Sequence, residues 1–356
     1  MKINAVDLFC GVGGLTCGIQ ESGINVIAGY DIDSKSEYAY EHNNGAKFIL
    51  KDIKDIDDEE INKLYPVDTD IKVLMGCAPC QPFSSYSNKY KNSDVHLEKV
   101  DLLDYFGKQI EYVKPDIVSM ENVPQILRRP VFDKFVRTLK ANGYFVSYKV
   151  VYAPDYGVPQ KRKRLLLLAS KLGEIELIAP THSFNSYVTL RDTIEKLPKL
   201  EAGDTDPNDP LHRCRNLTAI NKKRIKQSKP GGTWKDWDED LLLEAYKKKT
   251  GQSYKSVYGR LEWDQPANTI TTQFTGIGNG RFGHPEQDRA LSLREGALLQ
   301  TFPQNYLFTD PKLGNKYSVA QVALQIGNAV PPKLGEVIGI SIKKHLCSKK
   351  ARRDYE

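Results

Sequence analysis

The sequence lacks what a membrane or secreted protein needs. No run of about 18 apolar residues occurs, so a membrane-spanning helix is excluded. The opening residues, Met1-Lys2-Ile3-Asn4-Ala5-Val6-Asp7, carry no long apolar stretch of a secretion signal. Six cysteines in 356 residues are too sparse for a disulfide scaffold. No internal repeat and no long low-complexity tract is present. A cytoplasmic protein without a membrane partner is therefore expected. Charge of one sign is also scarce overall, since 51 Lys/Arg face 45 Asp/Glu. The excess is local. Residues 211–260 hold 13 Lys/Arg and 5 Asp/Glu, a balance of +8, which leaves about −2 for the rest. That asymmetry suggests a polyanion-binding lobe on a nearly neutral body. A solvated lysine-rich surface is the plainer alternative for a charge run alone.

What is present is a soluble globular balance, 40% hydrophobic and 27% charged, in a chain too long for one ordinary core. Short apolar runs at 3–9, 26–30, 71–75, 117–120, 145–152 and 164–169 read as strands. Helical patterns intervene around 34–42, 101–113 and 131–142. This alternation predicts a doubly wound α/β unit, a mostly parallel sheet covered on both faces, over residues 1–172. After 173 the chain turns irregular, polar and basic, with turn signals at Asp206–Pro210 and Pro230-Gly231-Gly232. Helices are expected again at 289–303 and 333–347.

Five motifs could carry chemistry. Gly11-Val12-Gly13-Gly14 follows the first strand directly, where glycines let a ligand approach the backbone. Asp31 lies 20 residues beyond Gly11, the spacing of a ribose-hydroxyl acceptor. Thr16 stands where a dinucleotide fingerprint needs its third glycine, so an adenosine cofactor without a pyrophosphate fits better. A plain strand-to-helix turn is the alternative. Next, Cys77-Ala78-Pro79-Cys80-Gln81-Pro82 follows the third predicted strand. Zinc would need a second C-x-x-C pair, which is absent, so no metal is expected. A dithiol pair lacks a thioredoxin-like setting. A lone nucleophile at Cys80, exposed by the prolines, is the third reading, with Cys77 a buried structural thiol. The polar stretch 84–94 behind it has the length of a lid or binding loop. Glu121-Asn122-Val123 ends another strand, where a carboxyl in a partly apolar pocket can act as hydrogen-bond donor or acid, or simply cap or pair. In Gln160-Lys161-Arg162-Lys163-Arg164, alternation along one strand puts Gln160, Arg162 and Arg164 on one face. Gly327-Asn328 before Pro331-Pro332 is a weak signal alone.

In this chain order the motifs resemble those of the DNA (cytosine-5)-methyltransferase family, and the resemblance spans nearly the whole chain. Arg289–Glu295 and Gln300-Thr301-Phe302-Pro303 look like the family's next block, and Gly327–Val330 its last. The resemblance implies a Rossmann-like S-adenosylmethionine-dependent methyltransferase fold with a smaller irregular target-recognition lobe. Its catalytic domain would be 1–172 with 323–356, and its DNA-binding domain 173–322. It implies S-adenosylmethionine as cofactor, S-adenosylhomocysteine as product, and a cytosine flipped from double-stranded DNA as substrate. By the same resemblance Cys80 would attack C6, Glu121 would hold the N3 and amino edge, Arg164 would meet the O2 side, and Arg162 would support the cysteine pocket or a phosphate. Phe9, Gly11, Gly13, Gly14, Asp31, Ile32, Asp52, Ile53, Asn328 and Val330 would line the cofactor pocket. Pro79, Gln81, Ser84, Ser85, Asn122 and Gln160 would border the substrate. A bacterial monomer, the protective half of a restriction–modification pair, is expected. An RNA cytosine-5 methyltransferase and a catalytically silent DNA-binding module are the competing readings. The aromatic residues Trp234, Trp237, Tyr246, Tyr254 and Tyr258 are expected mainly in the lobe's own core.

Overall fold

The computed structural model describes residues 1–79, 102–248, 256–314 and 316–353. The chain divides into two compact units. The first comprises Met1–Tyr156, Lys163–Thr181 and Val330–Glu356; the second comprises Gly157–Arg162 and His182–Ala329. The boundaries differ from the expected 172 and 323, and Gly157–Arg162 is lent to the second unit.

The first unit is built on a seven-stranded sheet. Its strands are β1 (Ile3–Leu8), β2 (Asn25–Asp31), β3 (Lys47–Leu50), β4 (Ile71–Gly76), β5 (Ile117–Asn122), β6 (Phe145–Tyr152) and β8 (Lys163–Ser170), in the order β3-β2-β1-β4-β5-β8-β6. Strands β1 to β5 pair in parallel. Both side-chain sets of the central strands are buried: Val6, Leu8, Leu74, Val118 and Met120 on one face, Ala5, Val73, Met75 and Ile117 on the other. A parallel sheet wrapped on two sides requires that double burial. Helices α4 (Leu102–Val113) and α5 (Pro130–Ala141) cover the first face, with Phe106 and Phe135 in ring contact at 5.4 Å.

The sheet is mostly parallel, as expected; β8 is the exception and runs antiparallel to both β5 and β6. The physical reason is the short path from Tyr152 to Lys163, which is too brief for a helical crossover and suits an antiparallel return.

Helix α1 (Gly14–Glu21) meets α11 (Pro332–Arg353) at very close range. A Cβ on Gly18 would sit 1.8 Å from Pro332 O, and one on Gly335 2.7 Å from Leu15 O. Glycine is required at both places because backbone meets backbone. Helices α2 (Glu37–Asn44) and α3 (Glu60–Leu64) are the other helices among the unit's described residues. Among the described residues no helix is long and apolar enough to cross a membrane.

The second unit has little regular structure. Its strands are two-residue pieces, β7 (Gln160–Lys161) paired in parallel with β9 (Ala267–Asn268). Its helices are α6 (Leu190–Ile194), α7 (Ala219–Gln227), α8 (Glu244–Lys247), α9 (Leu293–Leu299) and α10 (Val319–Asn328). The helix expected over 289–303 is thus confined to 293–299. Ser292 caps it through a capping box with Glu295, and Thr301 takes a left-handed φ of 70° just after it.

Buried arginines replace the missing ladders. Arg260 donates to the carbonyls of Ile225, Ser228, His284 and Gln287 and pairs with Asp288. Arg289 is fully buried and grips Glu295 with two parallel bonds, 2.8 and 2.7 Å. Arg294 grips Asp209 in the same manner at 2.6 and 3.0 Å. Trp234, Trp237, Leu241 and Tyr246 form a small separate core, as expected for most of that aromatic group. Tyr258 packs against it, and Tyr254 lies outside the described residues.

Candidate active site

The carboxyl ends of β1, β2, β4 and β5 bring together most of the expected residues of the first unit. After β1, Phe9 takes a left-handed φ of 62°, followed by Gly11 at 50° and Gly13 at 85°. Phe9 carries strain that glycine would not. Gly13 is the N-cap of α1, which Gly14 opens. A Cβ on Gly11 would meet nothing within 4 Å, so that position borders open space.

Asp31, at the end of β2, accepts from Gly11 N at 2.8 Å and from Asp33 N at 2.9 Å. Burial raises its carboxyl above the ordinary value, and these backbone donors oppose the rise. A carboxylate has about four acceptor positions, so capacity for ribose hydroxyls remains. Ile32 beside it is 71% exposed, an apolar surface held in water. Open space, an acceptor and an exposed aliphatic face suit an adenosine moiety. Asp52 is half-buried and caps the short turn after it through Lys54 N, at 3.0 Å. Ile53 is buried and packs in the sheet's core cluster. Beneath the turn, Asp7 accepts from Thr16 Oγ1 at 2.8 Å, and burial pushes its carboxyl up to about 8. Sequence reasoning gave Asp7 no role.

At β5 the register Gly76↔Met120 sets the turn after β4 beside Glu121. The Glu121 carboxylate is almost fully buried. Arg164 Nε lies 2.8 Å from Oε1 as a charge pair without hydrogen-bonding alignment, so Oε1 has no hydrogen-bond partner among the described residues. The Cys77 thiol donates to Oε2 at 2.8 Å. Cys77 is half-buried and engaged, a correction to its reading as an inert core thiol. Asn122 Nδ2 donates to Ala78 O at 3.3 Å and ties the turn to β5, while Pro79 is exposed. Cys80, Gln81, Ser84 and Ser85, with the rest of the 84–94 loop, lie outside the described residues.

Gln160, Arg162 and Arg164 do not lie on a single strand: Gln160 is in β7, Arg164 is in β8, and Arg162 stands between them. The chain passes between units at Arg162–Lys163, so Arg164 belongs to the first unit and the other two to the second. Gln160 donates to Leu299 O and Gln300 Oε1 and accepts from Ile270 N. Arg162 donates to Ile270 O and Ala329 O. Gln300 reaches Ile326 O, and a Cβ on Gly327 would lie 2.4 Å from the Thr271 carbonyl carbon. These motif residues therefore knit the second unit's backbone. Asn328 is exposed in the second unit, and Val330 is buried in the first. Arg224 and Arg260 of the basic segment are interior, whereas Lys222, Lys223 and Lys226 on α7 are exposed. No metal-holding cluster of side chains occurs among the described residues.

This sheet, with its glycine turn after β1 and carboxylate after β2, is an S-adenosylmethionine-dependent methyltransferase fold. The profile of the C-5 cytosine-specific DNA methylase family matches residues 3–344, and the chain belongs to that family. Its class is DNA (cytosine-5)-methyltransferase, a class that in general uses S-adenosylmethionine. The chain is 52% identical over 344 residues to the type II methylase M.HgiDII of Herpetosiphon aurantiacus, covering 96% of this chain and 95% of that one. It is 31% identical to the type II methyltransferase M1.BsuMI of Bacillus subtilis strain 168, covering 95% and 80%. In fold it matches a prophage-encoded DNA modification methyltransferase structure from E. coli with a TM-score of 0.73 at 21% identity, covering 97% and 99%.

Proposed function

We propose that the chain is a sequence-specific modification methyltransferase of a bacterial restriction–modification system. It acts in the cytoplasm on a cytosine flipped out of duplex DNA. The relatives named type II methylase or methyltransferase support the biological setting. The observation that carries the chemistry is the buried Glu121–Arg164 pair at the sheet's carboxyl edge, beside the turn that follows β4.

Cys80 supplies the thiolate that bonds to C6 of the cytosine, so that electron density moves toward C5. Glu121 holds the N3 and amino edge, donating a proton to N3 as charge builds there. Arg164 holds Glu121 in place and faces the O2 side of the ring. A base flipped from the stack costs a few kcal/mol, which contacts of this kind must return. S-adenosylmethionine, when bound, supplies the electrophilic methyl group. Phe9, Gly11, Gly13, Gly14, Asp31 and Ile32 would hold it, with Asp31 accepting the ribose hydroxyls. The exposed lysines of α7 support phosphate contact by the second unit, the proposed target-recognition domain.

Expressing the chain and mapping 5-methylcytosine in host DNA by bisulfite sequencing tests the reaction and reveals the site. Cys80→Ser abolishes turnover while DNA binding persists. DNA with 5-fluorocytosine at the target traps a cofactor-dependent adduct with the wild type and none with Cys80→Ser. Full activity in that variant refutes the covalent role.

A further inference from the structure

Cys77 is a side chain the reaction above does not use. It follows β4 directly, and its turn is pinned from both sides. Cys77 N donates to Leu8 O at 3.3 Å, and Asn122 Nδ2 donates to Ala78 O at 3.3 Å. The thiol therefore has a fixed origin beside β5. Its S–H donates to Glu121 Oε2, whereas Oε1 lies against Arg164 Nε, each at 2.8 Å.

The two oxygens of one carboxylate thus answer to two different groups. A guanidinium by itself draws a carboxylate into two parallel bonds, edge to edge. The Arg289–Glu295 and Arg294–Asp209 pairs of this chain do so. The Arg164–Glu121 pair forms no such fork: its nearest approach is Nε to Oε1, out of line for a hydrogen bond, while Nη1 donates to Lys163 O at 2.8 Å. The thiol on Oε2 opposes the rotation that would complete the fork. Oε1 is then left without a hydrogen-bond partner among the described residues, at a depth where such an atom is costly.

We infer that Cys77 is a positioning residue for the methylation reaction: its S–H fixes the plane of the Glu121 carboxylate and keeps it from closing edge to edge on Arg164. The carboxylate stays turned for the N3 and amino edge of the target base. This rests on the proposed contact between Glu121 and that base. Cys77 does not touch the substrate.

Two substitutions separate donor from bulk. Cys77→Ala removes the donor, and Cys77→Ser restores an O–H in nearly the same place. On duplex DNA carrying the mapped site, kcat falls by about tenfold or more in Cys77→Ala, the scale of one hydrogen bond to a charged group. Cys77→Ser recovers most of that loss. KM for S-adenosylmethionine stays at the wild-type value in both, as does the thermal midpoint. Wild-type kcat in Cys77→Ala overturns the inference. So does a loss that serine does not recover, or one that appears in KM alone. Glu121→Ala is the separating arm. If it turns over normally, the Glu121 assignment fails and this inference fails with it. If it is inactive while Cys77→Ala is normal, only the role of Cys77 fails.

Discussion

Replacing Arg289 by methionine tests how the second unit is held together. Arg289 is fully buried and donates to Gln287 Oε1, Ala290 O and both oxygens of Glu295. Glu295 is itself 1% exposed and also accepts from Ser292 N, so it anchors the start of α9. Burial alone would raise its carboxyl. The Arg289 guanidinium outweighs that and holds it at about 2, against an ordinary 4.5. At ~1.4 kcal/mol per tenfold, this corresponds to roughly 3 kcal/mol of stability at neutral pH. Removing one member of a buried pair costs about 3–5 kcal/mol, which agrees. Because the folded value is depressed, the wild type keeps this stability above pH 4.5 and loses it as pH falls toward 2. In Arg289→Met the carboxylate is buried without its partner and takes up a proton at higher pH. The stability gap between the two proteins is therefore widest near pH 7 and narrows in acid. All three tryptophans, Trp234, Trp237 and Trp263, lie in the second unit, so urea unfolding followed by tryptophan emission reports that unit directly. The double variant Arg289→Met/Glu295→Gln recovers most of the loss. A gap under about 1 kcal/mol at pH 7, or one unchanged at pH 4, refutes the reasoning.

Two further outcomes follow from the first unit. Gly18→Ala forces a methyl into Pro332 O, with backbone on both sides, and lowers stability by about 1–3 kcal/mol in thermal unfolding, whereas Gly107→Ala, whose nearest neighbour would be 3.7 Å away, does not meet such a wall. Asp31→Ala frees Gly11 N and Asp33 N, and weakens S-adenosylmethionine binding by tenfold or more in calorimetry, since a hydrogen bond to a charged group is worth about 1.5–3 kcal/mol; DNA affinity stays unchanged.

Much of the first unit was legible in the sequence because its signals are local. A buried strand announces itself as an apolar run, and a glycine turn as glycines, so β1, β2, β4 and β5 fell where expected. The direction of β8 was not legible, because Arg164–Ala169 reads the same whichever way it runs. Strand β3 has only four residues, with Lys47 and Leu50 exposed, and offered too little periodicity. The stretch from Gln160 to Arg164 alternates as one strand would, yet the chain breaks there into β7 and β8 and changes units. The role of Cys77 needed the β4–β5 register, which no single segment encodes. In the second unit, lone arginines such as Arg260 and Arg289 do the work of strand ladders. A basic residue in sequence looks alike whether it meets a phosphate or four carbonyls.

The close seating of α1 against α11 has a consequence for how the enzyme is born. Gly18 is synthesised well before Pro332, with the whole second unit translated between them. At roughly 5–20 residues per second, the first helix waits on the order of 15–60 s for its cover. The nascent chain must carry a bare groove through that interval, and a message truncated before α11 yields a protein whose first helix stays uncovered.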